Sequence, residues 1–182
     1  MRWNKKVHID NSGYHMKILG IDPGTATTGF SIIKVENGKT TLLEYGCIRT
    51  AAGLDAGIRL NQIAEDITTL IAKWQPAAAS IEKLFFQKNV KTAMAVSQAR
   101  GVIIQKLVEK GVQTREYTPL EIKNAVCGYG KADKKMIQQM VKVMLGLAQI
   151  PKPDDAADAI AAAICLANSL RIENQIHQKT PQ

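Results

Sequence analysis

The chain predicts an α/β protein built on one mixed sheet, with antiparallel strands first and parallel strands after. Three observations predict it. Three β-rich runs lie close together near the start, strand-like and helix-like segments alternate later, and the 182 residues make one compact domain without disulfides or structural metal.

From Met16 the chain reads as a strand over Lys17 to Ile21, a turn at Pro23-Gly24, a strand over Thr28 to Val35, and a strand over Thr41 to Cys47. Asn37-Gly38 between the last two is the strongest short hairpin signal. Leu60, Ile63, Ala64, Ile67, Leu70, Ile71 and Trp74 then recur at helical spacing until Pro76 stops them. A short apolar strand, Ala77 to Ile81, ends in Glu82. A long helix from about Asn89 to Lys110 closes at Gly111, and its apolar middle, Met94 to Val108, suits a helix sandwiched in the core or shared with a second subunit. Val112 to Tyr117 is one more strand. Thr118-Pro119 is an N-cap followed by a first-turn proline, opening a short helix that Gly128-Tyr129-Gly130 breaks. Ala132 to Leu145 and Asp154 to Leu170 are two further helices, separated by Pro151-Lys152-Pro153. Residues 1–15 lack periodicity and read as a leader or tag, and residues 171–182 as a polar tail, leaving 16–170 as the folded domain.

Composition narrows the function. Cys47, Cys127 and Cys165 are odd in number and form no CxxC pair, so neither a disulfide framework nor a zinc site is suggested and a reducing cytoplasm fits. No apolar run approaches the length of a membrane span. The three histidines, His8, His15 and His177, all fall in the two terminal segments, which pushes any chemistry onto carboxylates, lysines and hydroxyls. The net charge of +8 concentrates between Glu82 and Arg115 and between Glu121 and Lys142, as a polyanionic partner such as nucleic acid would require.

Certain acidic positions stand out. Asp22 closes the first strand and Glu82 the fourth, and sites in open α/β sheets form outside the carboxyl ends of strands. If those strands are parallel neighbours, the two acids meet. Asp154, Asp155 and Asp158 open the last helix. Asp155 and Asp158 share a face of its first turn beside the apolar stripe Ala156, Ala159, Ile160, Ala163, Ile164 and Ala167, whose alanines permit close approach to the sheet. The helix dipole accounts for any one of these acids but not for Asp158 at the border of a buried stripe. Like charges about 4 Å apart repel by roughly 1 to 4 kcal/mol per pair. A cluster of four therefore needs a cation, and oxygen ligation alone selects Mg²⁺ or Mn²⁺. Two such ions suit in-line phosphoryl displacement. Asp-Pro-Gly-Thr followed by Thr-Thr-Gly also matches the phosphate loop of sugar kinases and of the actin and Hsp70 ATPases, but those need a second domain that this length does not hold.

Ile-Leu-Gly-Ile-Asp-Pro-Gly-Thr (18–25), Gly-Cys-Ile-Arg-Thr (46–50), Ile-Glu-Lys-Leu-Phe (81–85), Lys-Asn (88–89), Gln-Ala-Arg-Gly-Val (98–102) and Asp-Asp-Ala-Ala-Asp-Ala (154–159) run in the order found in the RuvC Holliday junction resolvases of bacteria, which the chain resembles. The resemblance implies an RNase H-like fold with a five-stranded sheet, three strands antiparallel and two parallel, flanked by helices. It implies a homodimer that makes paired symmetric Mg²⁺-dependent nicks in four-way DNA junctions during recombination and repair. Mn²⁺ would substitute, with two ions per subunit, and RuvA and RuvB would be partners. It assigns Asp22, Glu82, Asp155 and Asp158 as metal ligands, leaves Asp154 a bystander, gives base stacking to Phe85 (with Phe86 a second candidate), and sets Lys123 and Lys134 near the cut phosphate. Arg100 stays outside the site. An RNase H-fold nuclease of the YqgF type acting on RNA and a non-catalytic junction-binding protein are the alternatives.

Overall fold

The computed structural model describes residues 15–84 and 90–179, with side chains placed for 15–84 and 93–176. The elements run β1 (His15–Asp22), β2 (Thr27–Glu36), β3 (Lys39–Arg49), α1 (Ala56–Trp74), β4 (Ala78–Glu82), α2 (Val90–Glu109), β5 (Gln113–Tyr117), α3 (Pro119–Cys127), α4 (Lys134–Met144) and α5 (Asp154–Lys179). The sheet order is β3-β2-β1-β4-β5. The first three strands are antiparallel, and β1, β4 and β5 are parallel. This is the mixed sheet that the strand pattern predicts.

Local chemistry sets the boundaries. Asn37 and Gly38 both take positive φ, which a two-residue hairpin turn demands. Asp55 caps α1 by accepting from the Gly57 amide at 2.8 Å, and Gln75 in the left-handed region ends it ahead of Pro76. Thr118 and Glu121 form a reciprocal capping box on α3, whose first residue is Pro119.

The alternation of strand side chains divides the core. Leu19, Ile21, Ile32, Ala79 and Ile81 pack with α1 and α2 on one face. Ile18, Ile33, Val35 and Ala78 pack with α5 on the other. α5 is itself covered from outside by α3 and α4, so Ala157, Ala161, Ala162 and Cys165 are buried as well as the expected stripe. The single inward face expected from sequence is therefore too narrow, because a second layer of helices shields the far side.

Two termini differ from expectation. His15, assigned to the leader, opens β1 and pairs with Glu36 at 2.6 Å. α5 runs to Lys179, past the end expected at Leu170. The polar composition of that last stretch reflects solvent exposure of a continuing helix, which Glu173 ties to β5 through a two-pronged contact with Arg115, 2.8 Å on its longer arm. Ile172 and Ile176 on it are exposed.

Candidate active site

The alternation that places Ile18 and Ala78 against α5 also sends Asp22 and Glu82 to that face, four residues further along each strand. Parallel register pairs Ile21 with Ile81, so the next residues, the two acids, are neighbours at the carboxyl edge of the sheet. α5 meets them there with its first turn. Its approach depends on glycine: a β-carbon on Gly20 would strike the Ala159 carbonyl, the Ser31 hydroxyl and the Ala163 methyl, and one on Gly29 would strike the Asp155 carbonyl. The Ser31 hydroxyl donates to the Ala159 carbonyl at 3.0 Å and fixes the helix on the strand.

The result is one electrostatic cluster. Burial pushes the Asp22 carboxyl up to about 8, reinforced by the charges of Glu82, Asp158 and Asp155 and opposed by Lys134. Burial likewise raises Glu82, with Asp158 adding to it and Lys123 and Lys134 opposing. Burial raises Asp158 against the pull of its Lys134 hydrogen bond. The structure thus brings Asp22, Glu82, Asp155 and Asp158 together. Asp154 lies outside, held low by Lys152 at 2.9 Å and by the amide of buried Gln138 at 3.0 Å.

Lys123 and Lys134 stand beside the acids, lining with Glu82, Pro119, Ile122, Ile137, Asp158 and Ala161 a cleft of about 200 Å³. Lys134 reaches Asp158 at 3.1 Å and Asp154 at 3.6 Å. Arg100 is engaged by Glu116 away from the cluster. Phe85 and Phe86 lie outside the described residues.

Other residues escaped the sequence reading. The loop after Asp22 is braced by the Thr28 hydroxyl donating to the Gly24 carbonyl at 2.5 Å and by the Thr50 hydroxyl donating to the Thr25 carbonyl at 2.6 Å. Arg59 in turn donates to Thr50 at 2.8 Å. Cys47 borders the acids, its thiol raised by burial and by the charge of Asp155. The signal for Gly20 and Gly29 was present, since isolated glycines inside strand patterns mark close backbone approach.

Among the described residues no three acid, histidine or cysteine side chains stand near enough to cage an ion. The donor chemistry nevertheless fits a hard cation. The acids offer oxygen alone, and a cation among them would offset both the burial and the repulsion that raise the Asp22 carboxyl.

A sheet of this order, with acids at the ends of its two central parallel strands and on the helix crossing them, defines a nuclease of RNase H-like fold. The family described as crossover junction endodeoxyribonuclease RuvC matches residues 18–166. A protein of that description from Syntrophomonas wolfei is 48% identical over 87% of this chain and 92% of its own length, and one from Moorella thermoacetica is 51% identical over 84% and 92%. The solved structure of Thermus thermophilus RuvC with a Holliday junction substrate superposes with a TM-score of 0.83 at 31% identity, covering 87% of this chain and 97% of that one. The chain belongs to the RuvC family of crossover junction endodeoxyribonucleases. It is a phosphodiester-hydrolysing nuclease, and the nucleases of this family are metal-dependent.

Proposed function

We propose that the protein resolves Holliday junctions by paired nicks, with Asp22, Glu82, Asp155 and Asp158 holding two Mg²⁺ ions, or Mn²⁺ in their place. The observation that carries this reading is the parallel register that sets Asp22 beside Glu82 at the strand ends, where the first turn of α5 brings Asp155 and Asp158. Bound there, the metal would lower the pKa of a water so that it could lose a proton and attack phosphorus, and would supply charge to steady the leaving oxygen. The protein's own part is positioning. Asp22 and Glu82 are fixed by a central pair of strands, and Asp155 and Asp158 by a helix locked to the sheet through Gly20 and Gly29. A cation held by these acids would favour the ionised form of Asp22, whose carboxyl is otherwise raised by burial and by its acidic neighbours.

Lys123 and Lys134 supply cations beside the acids, where charge grows on the phosphate as the bond breaks. Phe85 follows Glu82 by three residues and is assigned to stacking on a base near the crossover.

Two symmetric nicks require two sites, and we assign the second to a second copy of this chain. α2 supports this assignment: Ala99, Ile103 and Leu107 are buried, whereas Met94 and Val108 are exposed. RuvA and RuvB are the proposed partners at the junction, and the cytoplasm is the proposed compartment; no described helix is long and apolar enough to cross a membrane.

The decisive experiment incubates a mobile synthetic four-way junction with the protein and with Asp22→Asn, with and without Mg²⁺. Metal-dependent paired nicks that vanish in the variant are expected. Cutting that persists in EDTA would end the metal mechanism, and an RNA preference would favour the YqgF-type alternative.

A further inference from the structure

The cleft holding Glu82, Asp158, Lys123 and Lys134 has a rim that the metal site does not use. Leu120 on α3, Tyr129 in the loop after it and Met136 on α4 are 58%, 46% and 39% exposed. They form one ledge. The Tyr129 hydroxyl contacts the Met136 sulfur, and the Leu120 side chain leaves no room for a β-carbon on Gly130, the residue after Tyr129. The ledge borders the cleft because Pro119 and Ile137, chain neighbours of Leu120 and Met136, line it.

Its charge is one-sided. Lys123, Lys131, Lys134 and Lys135 lie on the same α3–loop–α4 stretch, with Lys123 and Lys134 lining the cleft, and the two acids of that stretch are committed to the backbone. Glu121 accepts from the Thr118 amide at 2.7 Å, and Asp133 from the Met136 amide at 2.8 Å. Lys123, Lys131 and Lys135 have no ion-pair partner among the described residues, whereas Lys134 pairs with Asp154 and Asp158. An exposed aromatic and two flexible apolar side chains framed by unpaired lysines match a nucleotide, with an apolar face for base or sugar and cations for the flanking phosphates. A protein partner with an acidic rim would find the same lysines, but the ledge opens onto the carboxylates where DNA must lie for cutting.

We propose that Tyr129, supported by Leu120 and Met136, packs against the base or sugar of a nucleotide next to the cut phosphate and sets which strand segment enters the cleft. The residue acts by positioning, and the inference rests on the junction-cutting reading above. Tyr129→Phe keeps the ring and should hold the nick positions closer to the parental pattern than Tyr129→Ala does. Tyr129→Ala should bind and cut roughly tenfold less well, with an altered distribution of nick positions.

The test places 5-iododeoxyuridine at successive nucleotides around the nick in a four-way junction and irradiates the complex without divalent metal, so that no strand is cut. Peptide mapping should assign a photo-crosslink to Tyr129 at one or two neighbouring nucleotides. Thermal melts verify that the variants fold; if Tyr129→Ala melts early, Leu120→Ala carries the cutting measurement and should show a smaller loss of the same kind. Cutting and nick positions unchanged in Tyr129→Ala, or crosslinks that map entirely elsewhere, would overturn the proposal. Failure of the parent protein to cut with Mg²⁺ present would instead overturn the junction-cutting reading.

Discussion

The two long helices α5 and α2 solve opposite problems with similar amounts of apolar sequence. α5 is buried on nearly every side through its middle, between the sheet and the α3–α4 layer, and its contact residues are mostly alanine. α2 buries Ala99, Ile103 and Leu107 against the α1 side of the core and leaves Met94 64% and Val108 43% exposed. Small side chains bring α5 close enough to aim carboxylates at a strand end. α2 has no such duty, and its outer residues stay exposed. The difference teaches that position along the sheet, more than hydrophobicity, separates a helix that aims carboxylates at a strand end from one that leaves apolar side chains exposed.

The largest expected effect tests the aim of α5. Asp158→Asn should lower junction cutting at least a hundredfold in a single-turnover assay, because losing a proposed direct ligand should exceed the roughly 10- to 100-fold cost of losing an outer-shell partner. The melting profile should stay cooperative. A variant that cut at the parental rate would remove α5 from the chemistry.

The closeness of α5 is tested next. Ala163→Leu, placed where a Gly20 β-carbon would already collide, should cost about 1 to 3 kcal/mol in denaturant unfolding through overpacking. A leucine placed at a solvent-facing position of α2, Gln98→Leu, should stay within about 0.5 kcal/mol.

Acid–base behaviour gives a third, smaller contrast, confined to the α5 end. Asp22 has its carboxyl raised from 3.8 to about 8 in the folded, metal-free protein, so the folded state holds more protons than the unfolded chain between those values. Stability in EDTA should therefore be greatest near the lower limit and fall as pH rises to about 8, by at most about 1.4 kcal/mol per pH unit from this group. Mg²⁺ should flatten the slope. Melts across that window, with and without Mg²⁺, check both signs, and a stability that rose with pH in EDTA would contradict the buried cluster.

The least disruptive variant addresses α2. Met94→Glu with Val108→Glu should leave the monomer's unfolding free energy within about 0.5 kcal/mol, since both side chains are exposed. The same pair should shift the protein from dimer to monomer in sedimentation and convert paired nicks to single ones. An unchanged dimer would place the interface elsewhere.

Much of this contrast was legible in the sequence. Asn37-Gly38, Asp22 at a strand end and Thr118-Pro119 each carry a local rule, and local rules survive without knowledge of the partner. Asp22 and Glu82 could be joined by assuming parallel neighbours, which the register supplies. Other features depend on partners distant in sequence. The burial of Cys165 and Ala161 needs α3 and α4, the continuation of α5 to Lys179 owes its anchor to Arg115, and the bracing of Gly24 and Thr25 needs Thr28 and Thr50. Lys123 and Lys134 had no signal beyond family resemblance, because an exposed lysine in one sequence is indistinguishable from any other.

The placing of β1 and β4 inside the sheet carries one more consequence. β1 is bonded to β2 and β4, and β4 to β1 and β5, so neither strand bearing an acid is an edge. Their amides can exchange with deuterated solvent only when most of the sheet opens, and should be among the last to do so. The nuclease can then lose the C-terminal tip of α5 or the ends of β3 to thermal fraying while Asp22 and Glu82 keep their spacing, and inactivation by heat should coincide with global unfolding rather than precede it.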